Sequence, residues 1–162
     1  MRWSRRAVLL AAAALACAPG ARAADSTTLP PIDDLRALAA ESARTGAPVI
    51  VLFSTPGCPY CREVRQNYLV PRAAEQQRRV PQYIVREVDI TSRRRIGALD
   101  GQILTEAQFA DRHGVGMVPV VMAFDASWRP LGEPLVGLDR AGFYESYLEK
   151  LVAEALRLRA AR

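Results

Sequence analysis

The sequence contains few side chains that bind soft metals, and it has no long apolar run. Its 162 residues include three cysteines and one histidine. A structural zinc site usually takes four ligands of these two types, so the chain has enough of them for one such site at most. The apolar run at residues 7–18 is shorter than the roughly 20 residues that a membrane-spanning helix needs. These two shortages argue against a zinc-rich module and against a chain built around a membrane span.

The N-terminal residues have the composition of an export signal. Residues 1–23 combine an arginine-rich start, an apolar run and small residues before a cleavage point, which we place after Ala23. Arg5 and Arg6 resemble the twin-arginine export signal, and Cys17 resembles a lipoprotein cleavage site. The sequence therefore predicts a periplasmic protein with a cleavable signal peptide, and it leaves the twin-arginine, ordinary secretory and lipoprotein routes open.

Cleavage would remove most of the net positive charge of the chain. The whole chain has 22 basic and 17 acidic residues, for a formal net charge of +5. Residues 1–23 contain four arginines and no acidic residue, so the exported protein would have a net charge of about +1. We expect no nucleic-acid binding at this charge. The remaining length suits one domain, which we place at residues 32–160 after a flexible leader at residues 24–31.

Cys58 and Cys61 would be the only cysteines of the exported chain. They follow an apolar run at residues 49–53, where a buried strand is expected to meet the start of a helix. The free N–H groups and partial positive charge of a helix start favour the thiolate of Cys58. Pro59 suits the first helical position, and Cys61 lies within bridging reach. A disulfide closing so short a loop stabilises a fold very little, so the pair points to redox chemistry.

Hydrophobic periodicity predicts alternating strands and helices. A capping box at Thr105 and a stop at Gly46 set two helix ends, and the stretch 91–102, with Arg93, Arg94 and Arg95, is expected to be a solvated polar loop. We expect strands at 49–53, 83–90, 118–125 and 134–137, and helices at 32–44, 62–79 (kinked or divided at Pro71), 105–113 and after Asp139. The buried side of the last helix is predicted to contain Phe143, Tyr144, Tyr147, Leu148, Leu151, Val152 and Leu156.

This element order resembles the thioredoxin fold, an α/β architecture with a mixed central sheet of about four strands flanked by helices. The stretch 58–61, Cys-Pro-Tyr-Cys, resembles the active-site turn of that superfamily, and Val118-Pro119 resembles its cis-proline. The resemblance implies that Cys58 and Cys61 are catalytic. It also implies that Val118 and Pro119 contact the substrate, together with Pro59 and Tyr60 of the turn. It implies no cofactor beyond the redox-active Cys58–Cys61 disulfide, and no metal.

The signal peptide and Phe124-Asp125 suggest exported thioredoxin-like proteins of the SoxW type. That resemblance implies a reductase of protein disulfides, monomeric and linked to a membrane electron donor or acceptor. A disulfide-forming oxidase, a copper- or zinc-binding module in which His113 adds a ligand, and a protein with an inert disulfide remain alternatives.

The sequence also departs from cytoplasmic thioredoxins beside the cysteines. It has Gly57 and Leu52 where those proteins have a tryptophan and a buried aspartate. Glu63 or water is a candidate replacement for the missing proton acceptor, although Glu63 is expected to point to solvent. We expect Arg62 and Arg65 to be ordinary exposed helix positions. The alternative is that they stabilise the thiolate of Cys58.

Overall fold

The described residues form a four-stranded sheet with helices on both faces and a small separate hairpin. The structure, a computed structural model, describes residues 27–77 and 80–161, so the predicted signal peptide lies outside the described residues. In chain order the elements are α1 (Leu35–Thr45), β1 (Val49–Ser54), α2 (Pro59–Glu63), a π-helical segment (Val64–Leu69), α3 (Val70–Gln76), β2 (Ile84–Asp89), β3 (Arg95–Gly97), β4 (Ile103–Thr105), α4 (Glu106–Arg112), β5 (Val120–Phe124), β6 (Leu135–Val136) and α5 (Tyr144–Ala160).

The central strand of the sheet is β1. The spatial order is β2-β1-β5-β6, in which β1 runs parallel to β2 and antiparallel to β5, and β6 pairs antiparallel with β5. All six residues of β1 are buried, as the continuous apolar run predicted. The cysteine turn therefore begins at the carboxyl end of the central strand, in the middle of the sheet.

Alternate residues of β1 build two cores. Val49, Val51 and Phe53 pack on one face with side chains of α1 and α4. Ile50 and Leu52 pack on the other face with side chains of the π-helical segment and α5. Because the helix that follows the cysteines covers this second face, its start is held against a fully buried strand.

Local capping explains where α1 and α4 begin and end. The Asp34 carboxylate accepts the N–H groups of Arg36 and Ala37 at 2.7 and 2.8 Å. Gly46 ends α1 with a φ of +79°, which favours glycine. The predicted capping box at Thr105 is confirmed, with reciprocal hydrogen bonds to Gln108. Helix α1 starts at Leu35, three residues later than Ile32, because Asp34 is the capping residue.

The helix after the cysteines is continuous from Pro59 to Gln76 but changes its winding. A π-helical segment precedes Pro71, whose nitrogen has no hydrogen to donate to the preceding turn. The guanidinium of Arg72 donates to the carbonyl oxygen of Tyr68 at 3.2 Å. The break predicted at Pro71 is therefore a change of helix type within one run of helix.

Three expectations about the second half of the chain are wrong. The stretch 91–102 is not only a loop, because β3 and β4 pair within and just beyond it as a hairpin. Helix α5 begins at Tyr144 rather than after Asp139, whose carboxylate instead accepts N–H groups of the preceding turn. Phe143 and Tyr147, predicted to be buried, are 57% and 48% exposed.

Part of the predicted leader packs on the domain. Leu29 is buried in the core on the sheet face that the π-helical segment and α5 cover, and the carbonyl oxygen of Pro30 accepts the N–H of Glu87 at 3.0 Å. Pro31 forms a parallel bridge with Glu87. Residues 29–31 thus cover the outer edge of β2, which would otherwise have unpaired backbone groups. In the ranges 27–77 and 80–161, no helix has the length and apolar composition to cross a membrane.

Candidate active site

The cysteines lie in the turn between β1 and α2. Gly57 has a φ of +77°, a conformation that favours glycine at the point where the chain turns into the helix. Cys58 is the N-cap residue of α2, with Pro59 in the first turn. The N–H of Cys61 donates to the sulfur of Cys58 at 3.1 Å. The helix start thus directs a backbone donor at this sulfur, as the sequence predicted.

Cys58 and Cys61 are joined by a disulfide, with 5.3 Å between their Cα atoms. Cys58 is partly exposed, whereas Cys61 is fully buried. A substrate sulfur can therefore reach Cys58 and not Cys61. The free N–H groups of the helix start and its partial positive charge would stabilise the thiolate of Cys58 in the reduced state.

Val118 and Pro119 lie at the same end of the sheet as the cysteines. Val120 of β5 is the ladder partner of Phe53, so Pro119 is at the level of Ser54, the last residue of β1. The Val118-Pro119 peptide bond is cis, as the resemblance implied. Pro119 is buried, and its carbonyl oxygen accepts the N–H of Gly137 at 2.8 Å.

Exposed apolar side chains belong to three segments at this end of the sheet. Tyr60, beside the cysteines, is 46% exposed, and Met117, just before the cis-proline, is 64% exposed. Val136 of β6, the ladder partner of Val120, is 59% exposed. Pro59, in the turn, is also exposed. These side chains offer an apolar surface to a polypeptide that approaches Cys58.

A partly buried ion pair, which the sequence did not reveal, lies beside the turn. Arg65, expected to be exposed, donates to both carboxylate oxygens of Glu87, and Ser54 also donates to this carboxylate. The hydrogen bond to Glu87 raises the pKa of Arg65. Arg62 and Glu63 are exposed, as predicted. The available signal was weak, because Glu87 is one of three charged residues in β2, with Arg86 and Asp89.

An open cleft of about 500 Å³ adjoins this ion pair. The cleft contacts the turn through Thr55 and Pro56, and most of its other lining groups are charged. Leu52, at the position where cytoplasmic thioredoxins have a buried aspartate, is fully buried in the apolar core and contributes no charge to the cleft. The remaining lining residues are Thr28, Leu29, Pro31, Ser54, Arg65, Glu87, Asp89, Arg94 and Glu106.

The thioredoxin-like domain family matches residues 35–151. This range covers more than half of the chain and includes both cysteines and the cis-proline. The chain belongs to the thioredoxin-like domain family. The predicted thioredoxin fold, with a mixed four-stranded sheet flanked by helices, is confirmed.

Solved thioredoxins resemble this family member at low sequence identity. A poplar thioredoxin h mutant is 15% identical with a TM-score of 0.50, over 79% of this chain and 84% of its own. Fasciola hepatica thioredoxin is 14% identical with a TM-score of 0.48, over 77% and 97%. Oxidised thioredoxin O2 of Arabidopsis thaliana is 20% identical with a TM-score of 0.46, over 78% and 96%. No curated protein sequence matches this chain.

His113 and Trp128 lie away from the cysteines of this thioredoxin-like domain. His113 packs against Phe109 and Phe124, with 4.7 Å between ring centroids in each case. Phe124 ends β5 at the opposite end from Pro119, so His113 cannot join the cysteines in one metal site. Trp128 is buried against the same rings and donates to the carbonyl oxygen of Leu35 at 3.0 Å. Among residues 27–77 and 80–161, no cluster of three or more metal-binding side chains occurs.

Proposed function

We propose that this protein is a thiol-disulfide oxidoreductase that reduces protein disulfides in the periplasm. The observation that supports it is the unequal exposure of the two bonded cysteines at a helix start: Cys58 is accessible and Cys61 is buried. A disulfide that exchanges with a substrate needs a sulfur that the substrate can reach, and a backbone N–H that donates to this sulfur stabilises its thiolate. A purely structural disulfide needs neither feature.

The reduced protein would act in two exchange steps. The Cys58 thiolate attacks one sulfur of the substrate disulfide, so that a mixed disulfide forms, the substrate S–S bond breaks, and the other substrate sulfur leaves as a thiolate that takes up a proton. Cys61 then loses its proton and attacks the Cys58 sulfur, which releases the second substrate thiol. The substrate gains two electrons, and the domain ends with the Cys58–Cys61 disulfide. A dithiol electron donor, which we place at the membrane, then reduces this disulfide again.

The substrate would bind along the cis-proline loop. Val118 and Pro119 lie at the level of the last residue of β1, and Tyr60, Met117 and Val136 add exposed apolar surface near them. We propose that this surface accepts the extended backbone of a protein around its disulfide. We also propose that the protein acts as a monomer without a separate cofactor.

The activity is tested by reduction of insulin with dithiothreitol. The protein lacking residues 1–23 should accelerate the precipitation of insulin chains, and Cys58→Ser should abolish the acceleration. No acceleration by the folded, unsubstituted protein would contradict the proposed activity.

The direction of the reaction depends on the reduction potential. The SoxW-type resemblance favours a reductase, so we expect a potential near that of thioredoxin, about −270 mV. A value near that of the strong periplasmic oxidant, about −120 mV, would support disulfide formation instead. Equilibration with glutathione buffers, followed by quantification of the reduced cysteines, gives the value.

The location is tested by cell fractionation and intact mass. We expect the full-length chain to yield a periplasmic product that begins at Ala24. A cytoplasmic product that retains Met1 would contradict export. A lipid-modified product that begins at Cys17 would contradict cleavage after Ala23.

A further inference from the structure

Arg65 and Glu87 form a closely matched ion pair next to the cysteine turn. The Arg65 Nε donates to Glu87 Oε1 and Oε2 at 3.0 and 2.8 Å, and Nη2 donates to Oε1 at 2.5 Å. The Ser54 hydroxyl donates to the same Oε1 at 2.5 Å. Only 20% of the Arg65 side chain and 15% of the Glu87 side chain are exposed. Water and salt therefore screen these two charges less than they screen fully exposed charges.

The ion pair connects the two sides of the turn. Ser54 ends β1 four residues before Cys58, and Arg65 follows Cys61 by four residues on the same helical run. Residues at this spacing lie about one helical turn apart, so Arg65 follows Cys61 by roughly one turn at the junction of α2 and the π-helical segment. Glu87, on β2, is the ladder partner of Leu52. One carboxylate thus neutralises the cation that lies about one helical turn beyond the buried cysteine.

An unpaired arginine at this position would change the redox chemistry. A cation close to the cysteines stabilises the thiolate of the reduced state and makes the disulfide a stronger oxidant. An unpaired carboxylate would have the opposite effect. We infer that Glu87 cancels the charge of Arg65 at the cysteine turn and thereby keeps the Cys58–Cys61 pair reducing. This inference rests on the proposed exchange chemistry of Cys58, and it assigns Arg65 and Glu87 as positioning residues that set the potential.

The other charges of the cleft have partners of their own. Asp89 accepts the N–H and hydroxyl of Thr91 at 2.9 and 2.8 Å. Arg94 is paired with Glu106 at 2.9 Å. Arg62 and Glu63, on α2, are both exposed and therefore screened by solvent. Arg65 and Glu87 are thus the pair whose separation would leave a partly buried charge next to the cysteines.

The test compares variants that remove one charge or both. Glu87→Gln should lower the pKa of the Cys58 thiol by about one unit, because it leaves the Arg65 cation unpaired. Arg65→Gln should raise it by about the same amount. The double variant should return within about 0.3 units of the unsubstituted protein, because it leaves no net charge. Iodoacetamide alkylation of the reduced protein across pH measures this pKa. At a pH above the pKa of the Cys58 thiol, one unit corresponds to about a tenfold change in the exchange equilibrium with glutathione, or about 30 mV.

Two further variants separate charge from packing. Arg65→Lys keeps the cation but loses the two-pronged hydrogen bond, so it should restore the pKa that Arg65→Gln changes. Glu145→Gln breaks the pair between Arg72 and Glu145, an arginine–glutamate pair of the same type that lies further along the helix, and it should leave the thiol pKa unchanged.

Shifts of the same sign in Glu87→Gln and Arg65→Gln would overturn the inference, and so would shifts below about 0.2 units in folded protein. If Glu87→Gln does not fold, the comparison of Arg65→Gln with Arg65→Lys decides: a pKa that Lys does not restore contradicts a role in charge. Alkylation reports the thiol without any protein substrate. Opposite shifts in a protein that fails to reduce insulin would therefore contradict the proposed function alone.

Discussion

Arg93, Arg94 and Arg95 are consecutive in the chain but have different surroundings. Arg94 donates to the Ile32 carbonyl oxygen at 2.7 Å and to the carboxylates of Asp33 and Glu106 at 2.8 and 2.9 Å. Arg93 and Arg95 are exposed, as the prediction of a solvated loop required. Only 5% of the Glu106 side chain is exposed. The sequence did not distinguish Arg94 from its neighbours, because burial of Glu106 depends on the fold.

Arg94→Ala should therefore destabilise the protein more than Arg93→Ala. Loss of Arg94 leaves the buried carboxylate of Glu106 without its cation, which we expect to cost about 2–3 kcal/mol, since Arg94 itself is partly exposed. Arg93→Ala should change stability by less than about 0.5 kcal/mol. Denaturant unfolding of both variants gives the two values, and equal values would refute the structural role of Arg94.

His113 should make the protein less stable in mild acid. Burial lowers its pKa, with a smaller contribution from the neighbouring Arg112. The folded state therefore resists protonation, so stability is full above the unfolded pKa of about 6.5 and is lost as pH falls through the folded pKa. We expect His113→Gln to reduce the loss of Tm between pH 7.5 and 5.5 by about 1–3 °C. Thermal unfolding at the two pH values measures this loss, and an equal or larger loss in the variant would contradict the account.

Among the elements, the N-terminal segment is the one whose role differs most from expectation. Its composition predicted a leader through residue 31, but Leu29 is buried and Pro30 hydrogen-bonds to the edge of β2. The outer edge of β2 needs a hydrogen-bonding partner only because the assembled sheet leaves that edge unpaired. For this reason, single-sequence patterns did not reveal it.

Leu29→Ala tests whether this segment belongs to the folded domain. The side chain contributes to the core on the α5 side, so its truncation should cost about 2–4 kcal/mol in the free energy of unfolding. Val80→Ala provides a matched control, because Val80 is 75% exposed and should change stability by less than about 0.5 kcal/mol. If the two truncations cost the same, Leu29 does not stabilise the domain.

The missed hairpin and the misplaced start of α5 have local causes. Strands β3 and β4 have three residues each, too few to show alternation within a polar stretch. Asp139 has the side chain of a helix cap and does accept two N–H groups, but these belong to the turn before α5. Boundaries that depend on a single side chain are therefore ambiguous until the neighbouring turn is known.

For the molecule as a whole, the order of the elements apart from the β3–β4 hairpin followed from local signals. The continuous apolar run at β1, the stop of α1 at Gly46, the capping box of α4 and the cysteine pair before a helix are all readable within a few residues. The ion pair beside the cysteines is not, because Arg65 and Glu87 are 22 residues apart and meet only across the helix–sheet interface. The sequence thus located the cysteines and the cis-proline loop but not the charges that surround them.

The most direct test of the central claim is to trap the mixed disulfide on Cys58. Cys61→Ser removes the resolving thiol, so this variant, mixed with oxidised insulin, should accumulate one insulin chain bonded to Cys58. Cys58→Ser should accumulate none, because Cys61 is fully buried. Peptide mass mapping under non-reducing conditions identifies the bonded residue. An adduct on Cys61, or none on folded Cys61→Ser, would contradict the assignment of Cys58 as the attacking sulfur.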